Sequence, residues 1–105
     1  MTDWVKVREA ALAAAKKRLG VAWSNSAGIA TAQISALVEV AHYIEDNKDE
    51  LSEANYQHLM KLQKQALVDA LTGIEIISIT AAQNAAADAM DVIIKALPGL
   101  ILAAV

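Results

Sequence analysis

Between Ser52 and Leu97 the chain carries one recurring stripe at steps of three and four residues, through Tyr56, Leu59, Gln63, Ala66, Leu67, Ala70, Ile74, Ile77, Ala81, Asn84, Asp88 and Val92. That is the period of an α-helix with one buried face. Its start is well marked. Ser52 can cap the free N–H groups of the first turn, and Glu53 sits where the helix dipole favours a negative charge. Leu51 and Tyr56 have the spacing of a hydrophobic staple. Gly73 lies inside the stripe and costs about 1 kcal/mol relative to Ala. The stripe does not change phase across it, and neither the loop residues nor the fresh N-cap that a turn would need is present. One helix over about 53–97 is therefore expected, about 68 Å long at 1.5 Å per residue, with a kink or break at Gly73 as the alternative. The β-branched run Ile74 to Thr80 reads as strand on propensity alone, but Ala-rich helical sequence flanks it and no other segment offers a strand to pair with.

The same run is apolar nearly all round. If Ile74 and Ile77 face the core, Ile76 and Ile79 point away from it, and a helix apolar on both sides is buried on both sides. In a chain of 105 residues, one domain by length, that second cover is expected to be another copy of the protein. Composition agrees. The apolar residues are mostly Ala, Leu, Ile and Val, with no Phe, and each buried Ala removes little area from water at roughly 25 cal/mol per Å². The isolated core is thin, which favours a homo-oligomer.

The first helix is expected from Asp3 to Leu19. Val5, Leu12, Ala15 and Leu19 share its inner face, beside Trp4 and Ala11. Lys16, Lys17 and Arg18 followed by Gly20 suit the negative end of a helix and the residue past it; the functional reading of that cluster is an anionic-lipid or phosphate patch. Ser24-Asn25-Ser26 looks like a turn, with Trp23 beside it as a core anchor. A second helix follows over about 27–46, buried through Ala30, Ile34, Leu37, Val38, Ala41 and Ile44. The charged run Glu45 to Glu50 makes a short turn, so this helix and the long one are antiparallel neighbours. The two arms have equal length about that turn, and Ser24–Ser26 falls opposite Gly73. An extended hairpin and a hairpin folded over into a four-helix bundle both satisfy this pattern. A hinge at that level would also permit domain swapping.

Leu97-Pro98-Gly99 ends the helical pattern. Leu100-Ile101-Leu102-Ala103-Ala104-Val105 is then wholly apolar. Such a run is expected to dock on its own bundle, on a neighbouring subunit or on a membrane. Ile76, Ile79, Leu100, Ile101, Leu102 and Val105 are thus the candidate interface residues.

Chemistry is sparsely represented. The chain has no Cys, no Gly-rich phosphate loop and no nucleophile paired with a base. Glu39 and His42 form a Glu-x-x-His on a helix, the spacing by which carboxylate bundles place two metal ligands inward; His58 falls at a similar height on the other arm. Against a metal site, the motif occurs once and lies outside the buried stripe. Asp88 and Asp91 have no His, Lys or partner carboxylate at a definable distance to make them an acid–base pair. Five cations face two acids in residues 1–20, and the rest of the chain is acidic, which argues against broad nucleic-acid binding. No stretch reaches the roughly 18 apolar residues of a membrane span, and no signal-type run opens the chain, so a cytoplasmic location is expected.

In size and two-armed plan the chain is similar to small secreted WXG-type hairpins. However, Trp23-Ser24-Asn25 lacks the Gly of that motif and lies well before the turn, so no family is assigned. The sequence reads as an all-α, non-enzymatic structural or interaction protein without cofactor or catalytic residues. It would self-associate through helix faces, for instance as a component of a virion or secretion apparatus. An amphipathic binder of lipid surfaces and a metal-binding bundle are the alternatives.

Overall fold

The computed structural model describes residues 2–97. It contains α1 (Trp4–Leu19), a short 3-10 turn (Gly20–Ala22), α2 (Trp23–Asn47), α3 (Glu53–Thr72) and α4 (Ile79–Lys95), and the described residues include no strand. Each helix packs on its chain neighbours, α1 closes the ring against α4, and α2 touches α4 lightly across the diagonal. Thr2 bonds to Glu45 near the end of α2 and to the Ala96 carbonyl just past α4. The start of α1 therefore lies beside the ends of α2 and α4, and neighbouring helices run antiparallel. The result is an up-down-up-down bundle of 42 × 24 × 18 Å. A straight hairpin would exceed 60 Å at about 1.5 Å per residue, so the molecule is the folded-over form.

Local chemistry explains each boundary. The Asp3 carboxylate accepts from the Lys6 N–H at 3.3 Å and starts α1. Gly20 ends it, with φ +56° and its N–H on the Lys16 carbonyl. That left-handed region is open to Gly without steric cost, and it lets the chain reverse within the single 3-10 turn that leads into α2. Ser24–Ser26 therefore does not form the expected loop; it is the first turn of α2. Ser26 is fully buried there, and its hydroxyl donates to the Ala22 carbonyl at 2.9 Å. Trp23 is partly buried against the core. Ser52 accepts from the Asn55 N–H at 3.2 Å and starts α3, with Tyr56 buried and Leu51 packed beside the core, as the staple spacing requires.

The continuous helix over 53–97 is not formed. α3 stops at Thr72, residues 74–78 make a tight turn, and α4 starts afresh at Ile79. Ser78 supplies the cap, its hydroxyl oxygen accepting from the Ala81 N–H at 3.0 Å. Gly73 and the dense β-branched residues on both sides of Ser78 lower the cost of interrupting the helix there. The break also changes the phase. The buried positions of α4 are Ala82, Ala85, Ala86, Ala89, Met90 and Ile93. These lie one step on from the expected Ala81, Asn84, Asp88 and Val92. Asp88 is thereby freed from the core and pairs with Arg18 of α1.

All six residues assigned to the inner face of α2 are buried. On α1 the inner face is Ala11, Ala15 and Leu19, with Trp4, Val7 and Leu12 at its margins; Val5 is exposed. Alanines from α1 and α4 supply much of the core where these two helices meet.

Candidate functional site

The candidate ligand trio is split by the fold. Glu39 and His42 line a small cleft of about 160 Å³ between α1 and α2 with Trp4, Val5 and Arg8. His58 lies in another groove, between α3 and α4. Among the described residues no three His, Asp or Glu side chains gather closely enough to hold a metal ion. The metal reading of Glu39, His42 and His58 is therefore withdrawn.

His42 has a structural setting instead. Its ring stacks on Trp4 with centroids 5.6 Å apart and planes 24° from parallel. Its Nε2 lies 3.3 Å from the Asp46 carboxylate, one helical turn on. The Trp4 indole N–H donates to Glu45 at 3.2 Å, and the Thr2 hydroxyl donates to the other oxygen of the same carboxylate. Together these contacts fasten the start of α1 to the end of α2. A tryptophan at a surface seam here finds an aromatic ring to stack on and an acceptor for its N–H, as its amphipathic ring requires.

Asp88 and Asp91 do not form an acid–base pair either. Asp88 accepts from the Arg18 guanidinium at 2.5 Å. Asp91 sits 2.8 Å from the Lys95 ammonium, one turn on, and raises its pKa by hydrogen bonding and charge attraction. Both acids serve ion pairs on the bundle surface.

The larger groove, about 700 Å³ and open to solvent, lies between α3 and α4. His58, Lys61, Gln65, Gln83 and Asn84 give it amide and cationic walls, with Leu62 and Val68 among them. Amides and ammonium groups can donate hydrogen bonds there, and the His58 imidazole carries both a donor and an acceptor nitrogen in its neutral form.

The most distinctive surface lies at the end of the bundle holding the α1–α2 and α3–α4 connections. Val21 is 96% exposed there, Ile79 65% and Ile76 58%. Ile76 and Ile79 thus point out of the subunit and Ile77 is buried, although they stand in a turn and at the first position of α4 rather than on the continuous helix from which that direction was expected. Val21 was missed as a surface residue, and the signal that could have found it is charge. No Asp, Glu, Lys or Arg occurs from Leu19 to Val38, and none from Ile76 to Ala87. Folding over brings these two charge-free runs to the same end. Lys16, Lys17 and Arg18 lie beside it at the end of α1, and Glu75 sits in the turn itself. The opposite end, by contrast, carries Glu45, Asp46, Lys48, Asp49 and Glu50. Leu100, Ile101, Leu102 and Val105 lie outside the described residues.

No family model matches the chain, and comparison with curated proteins and with solved structures finds no match. Among the described residues, no helix is long and apolar enough to cross a membrane.

Proposed function

We propose that this protein is a non-enzymatic interaction protein that assembles with copies of itself, using the apolar end of its bundle. The observation that carries this reading is the exposure of Val21, Ile76 and Ile79 together at one end of a subunit whose own core is complete without them. Exposed apolar groups concentrated in one region, with few charges among them, mark surfaces that another molecule covers. The run 100–105 is also wholly apolar in sequence. A role as a building block in a larger assembly follows from such a surface, because the subunit offers contacts rather than a reactive centre.

The test is molar mass against concentration, by light scattering coupled to size exclusion. The mass should rise above that of one 11.1 kDa chain as concentration increases. A single-chain mass across the whole accessible range would overturn the proposal.

A further inference from the structure

Besides Val5, Ile29, Tyr43 and Leu62, exposed singly along the helices, the chain carries two concentrated apolar stretches. One is the Val21, Ile76 and Ile79 end. The other is the run Leu100 to Val105 in the sequence; Leu97, three residues before it, lies at the opposite end of the bundle, where Thr2 bonds to the adjoining Ala96 carbonyl at 3.4 Å. Their separation decides how they can meet. From Leu97 back to Ile79 the length of α4 is about 27 Å at 1.5 Å per residue. Residue 105 is eight residues past Leu97 and reaches roughly 29 Å at most, fully extended. Leu100 reaches only about 11 Å and Leu102 about 18 Å on the same scale. The chain's own run therefore cannot lay Leu100, Ile101 and Leu102 over Ile76 and Ile79. A run from a second copy is under no such limit.

We infer that residues 98–105 of one copy dock on the Val21, Ile76 and Ile79 end of the next, so that copies join head to tail. This rests on the self-association reading above and specifies its geometry. Two features favour this occupant. The receiving end is built mostly from the two charge-free runs, with Glu75 beside Ile76 and with Lys16, Lys17 and Arg18 at the end of α1, all exposed, so an apolar run laid on Val21, Ile76 and Ile79 leaves those charges at its rim rather than buried beneath it. In the half of the bundle nearest Leu97, by contrast, the large exposed apolar residues are Val5, Tyr43 and Leu62, and each stands among charged neighbours. Lys6, Arg8 and Glu9 surround the first in sequence, Glu45 and Asp46 follow the second, and Lys61 and Lys64 flank the third. A contact between two different patches is heterologous. It leaves one free patch at each end of every oligomer, so growth continues into a filament unless the rotation closes a ring.

Such a contact can be split into halves and rejoined, which a symmetric contact cannot. Two full-length variants suffice: Ile76→Asp with Ile79→Asp, which spoils the receiving end, and Leu100→Asp with Leu102→Asp, which spoils the run. Ile76 and Ile79 are exposed, Leu100 and Leu102 lie outside the described residues, and unchanged helical circular dichroism confirms folding of each variant. Each variant alone should show the mass of one chain at concentrations where the parent assembles. Mixed in equal amounts, they should form a one-to-one complex that grows no further, since each supplies the half the other lacks. The docking is overturned if either variant alone still assembles, or if the mixture stays at single-chain mass while the parent assembles. In both cases self-association itself stands. A parent that stays monomeric overturns both readings. If that monomer also sediments with vesicles of mixed phosphatidylcholine and phosphatidylserine, the apolar end serves a lipid surface instead.

Discussion

Replacing Ala86 with Leu sets two physical effects against each other, and the bundle geometry decides between them. Ala86 is fully buried on α4, as are Ala82, Ala85 and Ala89, while α1 contributes Ala11 and Ala15, equally buried. Leu adds three carbons. With room to spare, their burial would stabilise the fold by about 2.5 kcal/mol at roughly 0.8 kcal/mol per methylene. With α1 and α4 already in contact through small side chains, the added volume must push the helices apart or force a strained rotamer, at a cost of about 1–3 kcal/mol. The second effect should win, because a spacing set by alanine leaves no space for a longer side chain. Each kcal/mol shifts Tm by roughly 4–8 °C in a domain near this size, so Ala86→Leu should melt at least about 4 °C lower. Ala15→Leu, on the facing helix, should behave alike. Ala13→Gln, on the exposed side of α1, should change stability by less than about 0.5 kcal/mol. Urea and thermal unfolding followed by far-ultraviolet circular dichroism give these differences. Protein concentration must be equal throughout, since association shifts apparent stability. A Leu variant as stable as the parent, or more so, would refute the close approach of α1 and α4.

Substitutions at three other positions probe single contacts. Gly20→Ala meets no atom within 4 Å of the added carbon, so its cost is conformational; φ at +56° predicts a loss of about 1–3 kcal/mol, and an unchanged urea midpoint would contradict it. Ser78→Ala removes the cap of α4 and should cost about 1 kcal/mol, while Ser78→Asp, which can also cap, should stay near the parent; equal losses for both would argue against the capping bond. Arg18→Ala breaks the pair with Asp88, whose partners are 51% and 37% exposed, so no more than about 1 kcal/mol should be lost. That loss should shrink in high salt, and a larger, salt-independent loss would show that Arg18 acts through packing instead.

The all-α fold was legible because its signals are local. Asp3 and Gly20 bracket α1, Ser52 opens α3, and the inner face of α2 repeats without interruption from Ala30 to Ile44. The break after Gly73 was not, and the reason is specific. Ser78 caps α4 without an acidic residue in the first turn behind it, so the usual paired signature of a helix start is missing. The turn is also made of isoleucines, which read as continued apolar periodicity. With the break unrecognised, the stripe through α4 was placed one residue early, which put Asp88 in the core. Val5 was misassigned for a related reason. It is compatible with the inner stripe of α1 by spacing, but the alanines there bring α4 so close that the stripe narrows to Ala11, Ala15 and Leu19. Ile76 and Ile79 are exposed as expected, but the expectation came from opposite faces of a helix that is broken there. The grooves depend on which helices become neighbours after folding over, and no local pattern encodes that pairing.

The hydrogen bond from Thr2 to the Ala96 carbonyl means that the two ends of the folded body nearly touch, at the same level as the Lys48–Leu51 connection. A bridge of a few residues from Leu97 to Thr2 would close the backbone into a circle, and the circle could then be opened at Asp49. Such a rearranged gene would start with α3 and finish with α2, while every interhelical contact kept its partner. It would also hold residue 97 against residue 2 by covalent linkage, leaving the apolar end unencumbered for fusion to a label or a surface.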